Sequence, residues 1–93
     1  MQKGKHMFKK RRGINLNYNK QGLIHFTCVN FNEQPQDVQS KIIKLCTEVA
    51  GKDFKALFEI LTNDNKNIHA IATDNYISET TLYKLRREFY ERW

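Results

Sequence analysis

Apolar residues recur at helical spacing from residue 38 onward, and this periodicity limits the possible folds more than any other feature. One stripe comprises Val38, Ile42, Leu45, Cys46 and Val49. Pro35 precedes it, where a helix needs no backbone N–H, and Gly51 follows it, where a left-handed residue is favoured. The pattern predicts a helix from about residue 36 to residue 50.

A second apolar stripe follows after Asp53, a residue suited to cap a helix. Its members, at positions i, i+3, i+4 and i+7, are Phe54, Leu57, Phe58 and Leu61. This spacing predicts an amphipathic helix that ends near Thr62. The polar residues 63–65 then interrupt the pattern.

The residues before Pro35 show a different pattern. Ile14, Leu16 and Tyr18 alternate with asparagines, a turn cluster over residues 19–22 contains a glycine, and residues 23–31 form a β-branched and aromatic run. Together these features predict a β-hairpin over residues 14–31, with one face packed on the helices. The predicted fold class is α+β: an N-terminal β-hairpin and a four-helix core ending in a helix-turn-helix, similar to a winged helix.

The length of 93 residues fits one domain with one small core. The longest apolar run is far shorter than the roughly 20 residues of a membrane span. No apolar stretch follows the first charged residues, so we expect no secretory signal, no membrane partner and a cytoplasmic protein. Cys28 and Cys46 form no CxxC pair, and we expect both to be reduced, buried thiols.

The net charge of +6 is concentrated at the N-terminus. Residues 1–12 hold six basic and no acidic side chains, whereas residues 13–93 are neutral. We therefore predict a flexible basic arm over 1–12 and a single DNA-binding domain over 13–93. Arg11 and Arg12 suit a narrow AT-rich minor groove. The alternative is a solubilising tail or a remnant of expression.

Residues 66–93 carry the most specific signal. In the twenty-residue window from Ile68 to Arg87, a small Ala72 stands fifth, and Ile77 precedes Ser78, which is suited to cap a helix. Aliphatic residues at the fourth, fifteenth and eighteenth positions are Ile71, Leu82 and Leu85. This window resembles the helix-turn-helix of DNA-binding proteins, and residues 77–87 resemble small regulators of Gram-positive phages and plasmids.

The window departs from the family pattern in the turn. The ninth position, commonly glycine, is Tyr76, and the eighth, commonly apolar, is Asn75. Asn tolerates a left-handed conformation best after glycine. We therefore expect the turn to be shifted or lengthened by one residue, with Tyr76 pointing inward.

Helical geometry divides the second helix of the motif into two faces. A buried stripe is predicted for Ser78, Leu82, Leu85, Phe89 and Trp93, and an outward face for Thr80, Tyr83, Lys84, Arg87 and Glu91. Arg87 is suited to guanine O6 and N7, Lys84 to guanine or phosphate, and Thr80 to a thymine methyl or the backbone. The full predicted DNA-binding set is Arg11, Arg12, Lys20, Ser78, Thr80, Thr81, Tyr83, Lys84 and Arg87. Lys20 is placed at the tip of the hairpin, which either acts as a wing or only closes the core or pairs with a second copy.

Nothing in the sequence indicates an enzyme, a cofactor or a metal. The three histidines lie in different segments, and His25 and Cys28 would lie on opposite faces of a strand. We expect a double-stranded DNA-binding homodimer, with Trp93, Phe89 or the hairpin edge as interface. The expected role is a transcriptional regulator of a mobile element.

Three alternatives remain open. An accessory protein at a replication or conjugative transfer origin (oriT) would use the same motif. RNA binding would use His25, Phe26 and Tyr18 as a stacking platform on a sheet. A protein-binding inhibitor module would use the helix-turn-helix as an interface.

Overall fold

The computed structural model describes residues 8–93, and its architecture is helical. The α-helices are α1 (Tyr18–Val29), α2 (Gln36–Ala50), α3 (Phe54–Thr62), α4 (Ile68–Asp74) and α5 (Glu79–Arg92). Short 3-10 turns at Phe31–Glu33 and Gly51–Asp53 connect the first three. The helices predicted at 36–50 and near 54–62 are confirmed. No helix within residues 8–93 is long and apolar enough to cross a membrane.

The predicted β-hairpin over residues 14–31 is wrong, and with it the α+β class. No strand occurs among residues 8–93, and most of this segment is α1. Asn17 caps α1 by accepting a hydrogen bond from the Lys20 amide at 2.8 Å. The buried residues Gln21, Ile24 and Cys28 lie at helical spacing, so tertiary burial decides the structure of a run with high β-propensity.

Two groups of buried side chains form the core. The larger one lies among α1, α2, α3 and α5 and includes Ile24, Ile42, Leu57 and Phe89. The smaller one joins α4 to α3 and α5 and consists of Ala56, Ile71, Ala72 and Leu82. The α4–α5 pair therefore packs on α3 and through α5 on the main core.

Cys28 and Cys46 are free and buried in the main core, as predicted. Burial raises the pKa of both thiols to about 12. Both remain neutral hydrophobes at physiological pH. His25 and Cys28 both lie on α1. The prediction that they lie on opposite faces of a strand is therefore wrong. Residues 8–93 contain no cluster of three or more metal-ligating side chains.

The segment before α1 is fastened to the domain by one buried amide. Gln21 is fully buried, accepts a hydrogen bond from the Arg11 amide at 2.8 Å, and donates from Nε2 to the Leu16 carbonyl at 3.0 Å. Phe8 and Ile14 of the same segment are buried. Residues 1–7 of the predicted arm lie outside the described residues, whereas residues 8–12 lie against the helices.

We expect Gln21→Ala to lower the free energy of unfolding by about 2 kcal/mol, because several backbone groups lose their partner at once. Amide hydrogen exchange over residues 8–16 should accelerate, and urea unfolding gives the total loss. Gln36→Ala is the control, since Gln36 is exposed and makes one long bond to Ser40. Unchanged exchange over residues 8–16 would contradict the role given to Gln21.

Candidate nucleic-acid interface

The N-terminal ends of α4 and α5 are capped by side chains. The Asn67 side chain accepts a hydrogen bond from the Ala70 amide at 2.9 Å, and Ser78 accepts one from the Thr81 amide at 3.1 Å. The start of α5 after Ser78 is therefore confirmed. Ala72, small enough for a close helix crossing, is buried between the helices.

The turn between α4 and α5 corrects the prediction for Tyr76. Tyr76 itself has a positive φ of 55°, and its side chain is 97% exposed, so it does not point inward. The Ile77 amide bonds to the Ala72 carbonyl at 3.0 Å and the Tyr76 amide to the Thr73 carbonyl at 3.3 Å. These two bonds form a Schellman motif, in which the left-handed position normally holds glycine. The ninth position of the helix-turn-helix window therefore has the left-handed conformation that is usual there, although the residue is Tyr76 and not glycine.

We expect Tyr76→Gly to raise the free energy of unfolding by about 0.5–1 kcal/mol. Glycine relieves the left-handed backbone strain of about 1–2 kcal/mol. It also adds a conformational-entropy cost of about 0.5–1 kcal/mol, which offsets part of this gain. Urea denaturation measures the change. Tyr76→Ala, which removes the ring but keeps the strain, should give no gain; a gain equal to that of glycine would show that the ring, not the backbone, is responsible.

A polar cluster that the sequence did not indicate holds the α4–α5 pair on α3. The Lys66 ammonium pairs with Glu59 at 3.0 Å and with Asp74, and the Asn75 side chain donates to Glu59 at 3.2 Å. The hydrogen bond from Lys66 lowers the pKa of Glu59 and of Asp74 and keeps both carboxylates charged. The cluster connects α3 with the residues that flank α4.

The outward face of α5 has the exposure that the helical geometry predicts. Thr80, Tyr83, Lys84 and Arg87 are exposed, as is Thr81 beside them, whereas Leu82 and Phe89 are fully buried. Lys84 and Arg87 form no ion pair with any residue of the described 8–93 range. Ser78, predicted in the buried stripe, is exposed.

The acidic residues of α5 have partners of their own. Glu79 pairs with His69 at 2.7 Å, and Glu88 with Arg92 at 3.2 Å. Glu91 accepts a hydrogen bond from the Asn15 amide at 3.1 Å. Lys84 and Arg87 are therefore the exposed charges of α5 that have no ion-pair partner among the described residues.

The remaining predicted site residues lie elsewhere. Lys20 is exposed in the first turns of α1. Its predicted place at the tip of a hairpin is wrong, because the hairpin does not form. Arg12 is exposed, next to the exposed Lys9 and Lys10. Arg11 is half-buried, with its guanidinium 5.4 Å from the centre of the Phe8 ring.

The side chains predicted to form a dimer interface pack within the monomer. Phe89 is fully buried, and the half-buried Trp93 packs against it with ring centres 5.7 Å apart. The Lys41 ammonium lies 3.9 Å from the centre of the Trp93 ring. Phe89 is thus unavailable to a partner, and the hairpin edge does not exist.

Sequence reasoning missed a cleft of about 300 Å³ beside α5. Its wall includes Arg11, His25, Asp64, Tyr83 and Arg86. The Arg86 guanidinium lies 5.2 Å from the centre of the Tyr83 ring and has no acidic partner among the described residues. Burial, and then the nearby Arg11, lower the pKa of Arg86 to about 10.

His25 is held neutral in this cleft. Arg11 Nη2 donates to His25 Nδ1 at 3.3 Å, and because a guanidinium only donates, Nδ1 must accept. Burial first, and then the Arg11 charge, lower the pKa of His25, although Asp64 at 3.8 Å acts in the opposite direction. Protonation of His25 therefore opposes the folded structure.

We expect the free energy of unfolding to decrease as pH falls below about 6.5, because the unfolded state, where His25 has its ordinary pKa, binds the proton more readily. His25→Gln should remove this part of the decrease, and the exposed His69→Gln should keep it. Urea unfolding at pH 7.5, 6.5 and 5.5 in phosphate-free buffer measures it. The lowered pKa values of Glu59 and Asp74 also make the free energy of unfolding depend on pH, but only in the more acidic range where carboxylates are protonated. A decrease of the same size in His25→Gln would rule out His25 as its source.

Two features of the described residues bear on function: the exposed face of α5 and the cleft beside it. Both are placed by helix caps, buried apolar contacts and hydrogen bonds within this chain. Comparison of the chain with protein-family models, with curated proteins and with solved structures finds no match in any of the three.

Proposed function

We propose that this protein binds double-stranded DNA with α4 and α5 acting as a helix-turn-helix. The observation that carries the proposal is the outward face of α5, where Lys84 and Arg87 are exposed and unpaired within the described residues. The opposite face of the same helix is anchored in the core by Leu82 and Phe89. A helix held in this way presents its polar side rigidly to a partner.

The side chains on this face match the chemistry of the major groove, which is wide enough for one α-helix. Arg87 can donate two hydrogen bonds to guanine O6 and N7, and Lys84 can bind guanine or a phosphate. Thr80 offers a methyl group for thymine and a hydroxyl for the backbone. Ser78 and Thr81 share a hydrogen bond at 2.9 Å at the start of α5, the end that enters the groove in such motifs.

Backbone contacts come from the N-terminal basic residues. Lys9, Lys10 and Arg12 are exposed. Lys10 and Arg12 border a small hollow of about 200 Å³ together with Arg11, Gly13 and Ile14. Contacts with phosphates release counterions, so six of them would give a log–log salt slope of about −5. The proposal includes a homodimer in the cytoplasm, since most such proteins bind two half-sites.

A transcriptional regulator of a mobile element is the role we infer, because it is the commonest use of such a motif. The RNA alternative loses its basis, since the stacking platform required a sheet and residues 8–93 form none. Tyr18 and Phe26 instead lie on the exposed side of α1.

Binding to three nucleic acids tests the proposal. Fluorescence anisotropy with pooled duplex DNA, single-stranded DNA and RNA of equal length, each at 50 and 200 mM salt, compares the classes. We expect the duplex to bind tightest and its affinity to fall by about 10³-fold with salt when six phosphates are contacted. Selection of enriched duplexes then identifies the half-site. Equal or tighter binding of RNA or single strands, or an affinity unaffected by salt, would overturn the proposal.

A further inference from the structure

The cleft beside α5 collects basic groups from distant parts of the sequence. Arg86 comes from the middle of α5, Arg11 from the segment before α1, and His25 from α1. The loop between α3 and α4 closes the other side with Asp64 and Lys66. The hydrogen bond from the Arg11 amide to the buried Gln21 side chain, at 2.8 Å, helps to hold Arg11 beside the helices.

The positive charges of the cleft are not balanced by the protein. Lys66 is neutralised by Glu59 and Asp74. Neither Arg11 nor Arg86 forms an ion pair with a described residue, and residues 1–7 contain no acid. Asp64 lies nearest to His25, at 3.8 Å, and its side chain is largely exposed. The cleft is therefore lined by two arginines and one carboxylate, Asp64, which forms an ion pair with neither of them.

The hydrogen-bond donors of the two arginines are also incompletely used. Arg11 Nε is buried and has no hydrogen-bond partner. The Arg86 guanidinium is held beside the Tyr83 ring, a contact that orients it without using its donors. Partly buried like charges with free donors are costly unless an anion offsets them.

We propose that this cleft binds a phosphate group between the guanidinium groups of Arg11 and Arg86. Planar guanidinium groups donate paired hydrogen bonds to phosphate oxygens, and two of them match a dianion. A volume of about 300 Å³ accommodates the phosphate with part of the molecule that carries it. Tyr83 and His25 border the same space.

The phosphate can come from two sources. Tyr83 lines the cleft and is also exposed on the outward face of α5, so we expect the backbone of a duplex bound to α5 to pass close to Arg86. The other source is a free, phosphate-bearing small molecule. The proposal does not depend on DNA binding, because inorganic phosphate alone tests the site.

The first experiment follows backbone and arginine Nε–H signals by NMR while inorganic phosphate replaces chloride at constant ionic strength and pH 7.5. We expect saturable shifts at Arg11, His25 and Arg86. Arg86→Met, which keeps the aliphatic packing, should weaken phosphate binding at least tenfold, and Arg92→Met, on the same helix but paired with Glu48 and Glu88, should not. Arg11→Met is the second variant if Arg86→Met does not fold. Non-saturable shifts, or equal binding by the cleft variants and the wild type, would overturn the proposal.

The second experiment distinguishes the two sources. If a duplex supplies the phosphate, Arg86→Met weakens binding to all duplex sequences alike and reduces the salt slope by about 1. If a small molecule supplies it, Arg86→Met leaves duplex affinity unchanged and inorganic phosphate still binds to the duplex complex. If the protein binds no duplex at all, the proposed function is overturned. The result of the phosphate titration, and with it the proposed phosphate site, is unaffected.

Discussion

Phe89→Ala is expected to lower the free energy of unfolding by about 3–5 kcal/mol. The Phe89 ring is fully buried where α5 packs on the main core, next to Tyr90 and Trp93. Truncation removes buried apolar area and leaves a cavity that the surrounding helices fill only partly. Small domains have a total stability of about 5–15 kcal/mol, so this one substitution removes a large part of it.

Urea denaturation followed by circular dichroism and by the fluorescence of Trp93, the single tryptophan, measures the loss. Phe26→Ala is the control, because Phe26 is 42% exposed on α1 and should cost about 1 kcal/mol or less. If both variants lose the same small amount, Phe89 does not hold α5 on the core in the way described.

The double substitution Lys84→Gln and Arg87→Gln is expected to weaken duplex binding by about 100-fold or more. Each base or phosphate contact of this kind contributes about 1–3 kcal/mol, and tenfold corresponds to about 1.4 kcal/mol. Both side chains are exposed and unpaired within the described residues, so the free energy of unfolding should change by less than about 0.5 kcal/mol.

Fluorescence anisotropy with the selected duplex measures the loss. Lys44→Gln with Lys55→Gln is the matched control, since it removes the same charge from exposed positions on α2 and α3. The control should lose affinity only slightly, through the smaller net charge. Equal losses in the two double variants would mean that overall charge, and not the outward face of α5, accounts for binding.

The helices from α2 onward were predictable because their signals are local. Pro35 and Gly51 mark the ends of α2, Ser78 marks the start of α5, and apolar stripes at helical spacing lie between such marks. The exposure of Lys84 and Arg87 follows from the same periodicity.

The segment before Pro35 was not predictable from local signals. Its β-branched and aromatic residues favour a strand, but the helix is stabilised by distant contacts: Phe8 packs over Gly22, with a ring carbon 3.6 Å from where a Cβ would be, and Gln21 bonds to three carbonyls. The cleft escaped prediction for the same reason, since Arg11 and Arg86 come from opposite ends of the chain.

The buried Gln21 amide also determines when a conformational entropy cost arises. An unstructured basic segment loses its freedom only when it meets a partner, and this loss weakens association. Here the backbone of residues 8–16 is ordered as the domain folds. Lys9, Lys10 and Arg12 therefore project from a backbone that is already fixed, and a partner that contacts them has only their side chains to immobilise.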